Sequence, residues 1–263
     1  MRPFHSALIA ACVLVAAGCS DGATDPNLQT LSLPQLLPSH ADLRTQLQGI
    51  VDDENGGLGF QMWATILDRK GFVVDVVFSG GSFGDQWPGS RVISAQKANT
   101  ANAFSLEGFA LSSANLYAPV QPGGSLFGLQ ESNPVDPNVA YGGKATDFGT
   151  TKDFMIGKRI GGINVFGGGL ALYTTDGTLI GGIGLSGDTS CTDHIIAWKL
   201  RHALNLDNVP GGVGESNTDN IIFSPDATID GFEHPTCLDL DGQGLNKDIA
   251  NGLPENFPVG PAE

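Results

Sequence analysis

Two short runs hold the side chains of this chain whose types and spacing best suit chemistry. Cys191-x-x-His194 and His234-x-x-Cys237 supply two thiols and two imidazoles, a ligand set suited to tetrahedral zinc. The same cysteines can instead close a disulfide, and free thiols are a third outcome. Just upstream, Gly182-x-Gly184-x-x-Gly187 spells a dinucleotide-binding fingerprint, and Asp207 stands near where a ribose-binding acid is expected. Its context argues against a nucleotide. Such a fingerprint lies between a parallel strand and its crossover helix, whereas the strand before these glycines reads as half of a hairpin and Asp207 falls in a loop. With 37 glycines in the chain, glycine motifs also arise by chance. Asp239-x-Asp241 with Gly244 begins like a calcium loop, but its twelfth position is Ala250 where a bidentate Glu is needed. No nucleophile elbow or paired catalytic carboxylates can be assigned.

The elements that must position these residues follow from periodicity. Residues 40–54 carry Leu43, Leu47, Ile50 and Val51 at helical spacing. "FQMWATILD" and "FVVDVVFS" form a hairpin with Asp68 at its turn. "GGSFGDQWPGS" is a loop, and Ser90 to Phe104 is an alanine-rich helix able to lie close against a sheet. On that helix Ile93, Lys97, Thr100 and Phe104 share one stripe. "GGLALYTT" and "TLIGGIGLS" make a second hairpin across "DG". Ser190 to Leu204 is a helix whose Ser190-x-x-Asp193 reads as a capping box, with His194 in its first turn, where the dipole favours a neutral imidazole. The stretch from 119 to 162 is rich in Gly, Pro, Asn and Asp, and the tail from 206 to 263 has no sustained period.

The start of the chain reads as an export signal: Arg2, the apolar run "ALIAACVLVAAG", and small residues up to Cys19. "VAAGC" resembles the lipobox of bacterial lipoproteins, with Cys19 as the lipidated residue. The expected layout is a signal over 1–18, Cys19 and a flexible tether over 19–39, a domain over 40–205 with an insertion at about 119–162, and the 206–263 tail. Export makes a Cys191 to Cys237 disulfide the simplest pairing, worth roughly 4 kcal/mol in the chain-entropy model. A formal charge of −15 excludes nucleic acid as a natural partner and leaves membrane attachment to the lipid anchor.

The segment "DGTLIGGIGLSGDTSCTDHIIAWKL", preceded by "GGINVFGGGLALY", resembles the C-terminal signature of the GlcG/HbpS-like, haem-degrading domain family, in which G-x-I-G-x-S-G precedes a final helix. "ATILDRKGFVVDVVF" resembles its first hairpin and "SRVISAQKANTANAF" its K-A-x-T-A helix. Where that family often carries Arg-x-Asp-Gly, this chain has "GGSFGDQW", with Asp85 at the acidic place and no arginine before it. The resemblance implies an α+β domain: a central antiparallel sheet of two hairpins with helices packed on it, often assembled into homo-oligomers. It implies a small-molecule ligand, with haem as the candidate cofactor. The candidate binding residues are Lys97, Thr100, Ser186, Asp193 and His194, with His194 also the candidate iron or zinc ligand. The expected function is that of an envelope-anchored, periplasmic or outer-membrane-facing lipoprotein that binds haem or a related ligand, with haem breakdown by analogy. The alternative is a non-enzymatic ligand-sensing or interaction module that does not bind haem.

Overall fold

The computed structural model describes residues 36–224, 231–238 and 244–260. The signal, Cys19, most of the tether, and Asp239 with Asp241 lie outside the described residues. Four strands form one antiparallel sheet: β1 (Trp63–Asp68), β2 (Val73–Phe78), β3 (Gly169–Tyr173) and β4 (Leu179–Ser186), in the order β2-β1-β4-β3. Each hairpin is closed by local chemistry. Asp68 Oδ1 accepts from the Lys70 and Phe72 amides, both at 2.9 Å, and Gly71 takes φ +82° to turn the chain.

Helices cover both faces of the sheet. On one side α1 (His40–Val51) and α3 (Ser190–Ala203) pack on a cluster that includes Leu43, Leu47, Ile183, Leu185, Ile195 and Ile196. On the other side α2 (Ser90–Phe104) lies across β1, β4 and β3. Its closeness depends on the glycines of the fingerprint. A Cβ at Gly184 would strike the Ser94 carbonyl, and one at Gly182 the Ala98 carbonyl. The Gly-x-Gly spacing therefore serves period-two alternation: glycines face α2, while Ile183 and Leu185 face the opposite cluster. Asp207, the supposed ribose acid, is held at 2.7 Å by His202 Nδ1.

Three local readings change. Thr189, and not Ser190, is the N-cap of α3: its side chain accepts from the Thr192 amide, and Ser190 is the first helical residue. Asp193 turns away from the cap toward α2, as described below. The described parts of the 206–263 tail pack more closely on the domain than their lack of period implied. It carries a short helix, α4 (Leu245–Asn251), and sends Ile221, Ala250 and Leu253 into the main core cluster. Arg201 anchors it through two bonds to Asp219 at 2.7 and 2.8 Å, with both side chains fully buried. Within 119–162, Asp153 accepts from Arg91 Nε at 2.8 Å in a buried ion pair, fastening that segment to α2. No helix among the described residues is long and apolar enough to cross a membrane.

Candidate functional site: a recess over a buried lysine–aspartate pair

At the end of β4 the chain passes through Gly187 and Asp188 into α3, and the first turn of α3 meets the middle of α2. There Lys97 Nζ lies 2.6 Å from Asp193 Oδ2 and donates to the Leu185 carbonyl at 3.1 Å. Asp193 Oδ1 accepts from the amides of Gly187 and Asp188, at 3.1 and 2.9 Å. These amides and the ammonium together satisfy a carboxylate that is only 2% exposed. Burial still pushes the Asp193 carboxyl up to about 6, with the Lys97 charge opposing the shift. Burial likewise pulls the Lys97 ammonium down, against the pull of Asp193.

Above this pair is a surface recess of about 270 Å³, just below the ~300–1,000 Å³ usual for ligand clefts. Its floor is polar: Ser90 and Ser186, whose hydroxyls are 3.0 Å apart, with Lys97 and Asp193. Its wall includes Ile93, and its rim carries two large exposed rings, Trp87 at 52% and Phe166 at 46% exposure. The rim is braced. The Trp87 carbonyl accepts from Trp63 Nε1 at 3.0 Å, and Phe60 packs edge-on against the Trp87 ring at 5.2 Å. Asp188 fixes the Phe60 loop by accepting from the amides of Leu58 and Phe60.

Of the residues expected at the site, Lys97, Ser186 and Asp193 are brought together here. Thr100 and His194 are not among the residues lining the recess. Thr100 donates to the Gln96 carbonyl at 2.8 Å and accepts from the Asn164 amide at 2.9 Å, which pins the loop before β3 to α2. His194 is wholly buried against the tail, its Nε2 3.1 Å from Asn220 Oδ1 and 3.2 Å from the Ile221 amide. Burial drives its pKa down to about 3, so the ring is neutral, and its Nδ1 has no partner among the described residues. Asp85 forms a one-turn cap with Ser82, accepting from its amide at 2.8 Å and its hydroxyl at 2.9 Å. Trp87, Phe166 and Asp188 are the site residues that periodicity could not find. Trp87 sits in a segment legible only as a loop, and it shares that segment with a second bulky aromatic, Phe83, so nothing in the run singled it out.

Cys191 and Cys237 form a disulfide, with Cα atoms 5.9 Å apart. His234 adjoins it, with Cys191, His234 and Cys237 presenting ligand atoms within 4.8 Å of one another. His194 is not part of that group, so the four-residue zinc set is not assembled.

An antiparallel sheet covered by helices on both faces, with a small, mostly apolar recess at the strand-to-helix junction, defines an α+β domain. The family model for haem-degrading protein HbpS-like matches residues 47–200, and the chain belongs to that family. Solved structures similar to this chain include a haem complex of PduOC, at 25% identity over 65% of this chain and 96% of that one, with a TM-score of 0.44. A Streptomyces reticuli HbpS double mutant is similar at 16% identity over 74% of this chain and 99% of that one, with a TM-score of 0.42. Klebsiella pneumoniae protein ORFY is similar at 21% identity over 66% and 90%, with a TM-score of 0.41. No curated protein matches the chain.

Proposed function

We propose that this protein binds haem or a related flat, largely apolar small molecule in the recess above Lys97 and Asp193. Membership of the HbpS-like family supports the ligand class. The observation that carries the reading is the pair of exposed rings, Trp87 and Phe166, standing beside Ile93 over a polar floor. Exposed aromatics on braced backbone offer stacking faces to a planar ligand at little entropic cost.

The residues fit the plane of a macrocycle better than its metal. Among the described lining residues none is His, Cys, Met or Tyr, the side chains that ligate haem iron. Lys97 is committed to Asp193, so a ligand carboxylate must compete for it. We therefore assign binding to the stacking faces and the two serine hydroxyls, and derive no step of haem breakdown. A second reading, a sensing or interaction module that takes a flat ligand other than haem, is favoured by the carboxylates of Asp188 and Asp193 at the recess and by the charge of −15, both unfavourable to propionates. Titration with haemin separates the two: saturable binding at micromolar haemin supports the first, and an unsaturable, non-specific response supports the second.

Attachment to the cell envelope through Cys19 is a further part of this proposal, resting on the apolar run and the "VAAGC" segment. Expression with Cys19→Ser tests it: the protein should move from the membrane fraction to the soluble one and lose the mass of its acyl chains.

A further inference from the structure

The Cys191–Cys237 disulfide lies on the tail side of α3, and its surroundings contain more than a staple requires. Cys237 Sγ sits at the N-terminus of the 14-residue helix α3, 3.0 Å from the Cys191 amide nitrogen and 3.3 Å from Ser190 Oγ. Donors so placed favour negative charge on that sulfur once the bond is cleaved. Cys237 is part-exposed while Cys191 is fully buried, so Cys237 is the member of the pair nearer solvent. Beside the pair is His234, 1% exposed, whose Nδ1 meets the Pro235 carbonyl at 2.7 Å and whose Nε2 has no partner among the described residues. A buried imidazole nitrogen with nothing to bond is a cost that a ligand would relieve.

We propose that reduction of this disulfide creates a zinc site built from Cys191, Cys237 and His234. The reductant is a dithiol: its two hydrogens pass to the two cysteine sulfurs, and it leaves as the oxidised disulfide. Zn²⁺ then displaces the two thiol protons and binds both thiolates and one ring nitrogen of His234, with water in the fourth position. Two thiolates on one tetrahedral zinc at about 2.3 Å stand roughly 3.8 Å apart. The side chains must therefore part by only ~2 Å from their bonded positions, a shift within reach of their χ1 angles. The spacing His234-x-x-Cys237 lets one loop supply two ligands while α3 supplies the third. In the oxidised protein both sulfurs are consumed, so the site is gated by redox state. This inference is independent of what occupies the recess.

The test is zinc binding to the whole protein, oxidised or reduced with a phosphine, measured by competition with a chromophoric chelator. Cobalt substitution serves as a second readout through its thiolate charge-transfer absorption. One zinc per reduced chain, none on the oxidised chain, and at least tenfold weaker binding by His234→Ala are expected. Circular dichroism of the same samples follows the fold. If reduction unfolds the chain and zinc restores it in a His234-dependent way, the proposal stands. Equal zinc binding by both redox forms, no binding by the reduced form, unchanged affinity in His234→Ala, or unfolding that zinc does not reverse would each overturn it.

Discussion

Lys97 and Asp193, 96 positions apart, meet at 2.6 Å with both side chains almost wholly buried, and so join the middle of α2 to the first turn of α3 beneath the recess. The pair is costly to bury and costlier to break. Replacing either member alone leaves a charge without its partner, a loss of about 3–5 kcal/mol, whereas replacing both with apolar residues is often neutral or stabilising. Lys97→Met and Asp193→Leu should each lower the urea midpoint strongly, and the double variant should recover most of the loss. A double variant as unstable as the sum of the singles would show that the two side chains act separately.

Two buried neutral histidines make the fold sensitive to acid. Burial holds His194 near 3 and His234 near 4, below the ordinary value of 6.5. Their contribution is complete above pH ~6.5 and is lost as pH falls toward those values, because the unfolded chain takes up protons that the folded chain refuses. Asp193 works in the opposite sense between about 6 and its ordinary 3.8, since there the folded chain holds the extra proton. The two histidines together outweigh Asp193, so stability falls as pH drops from about 6 toward 4. Denaturant titrations across that range read the slope directly. His194→Gln should flatten it, and an unchanged slope would refute the assignment.

Gly184→Ala tests the close approach of α2 to the sheet. The added Cβ meets the Ser94 carbonyl, backbone that cannot rotate aside. A loss of about 1–3 kcal/mol is expected from overpacking of this kind. Were these glycines a nucleotide cradle, the same change would leave thermal stability nearly untouched.

Removing the disulfide by Cys237→Ser should release the constraint on a separation of 46 residues, about 4 kcal/mol in the chain-entropy model. Because Arg201–Asp219 and the packing of Ile221 and Leu253 still hold parts of the tail, protease cleavage should begin near residues 231–238 while the sheet stays intact. Simultaneous loss of the sheet would mean that tail and domain unfold as one unit.

The α+β fold, with its two hairpins and three long helices, was legible because its elements carry local signals: β-rich apolar runs either side of a turn in β1 and β2, the i, i+3, i+4 stripe in α1, and the glycine alternation in β4. The tail was not, since Ile221, Ala250 and Leu253 reach the core singly and without a repeat. At the site, family resemblance pointed to Lys97, Ser186 and Asp193, but the ion pair itself depends on tertiary closure across 96 positions. Ser190 and Thr189 are adjacent hydroxyl residues, and only the backbone angles decide which one caps α3. Thr100 shares a helix stripe with Lys97, yet its hydroxyl is spent on Gln96 and Asn164. Spacing alone does not report such local competition.

The most direct test of the central claim is the affinity of the protein for haemin, followed by Soret absorbance and by quenching of tryptophan fluorescence, in the wild type, Trp87→Ala and Phe166→Ala. If the rim supplies the stacking faces, the wild type saturates at one haemin per chain and each variant binds at least tenfold more weakly, about 1.4 kcal/mol, with its melting temperature unchanged. Wild-type binding that does not saturate, or equal affinity in all three proteins, would contradict the account.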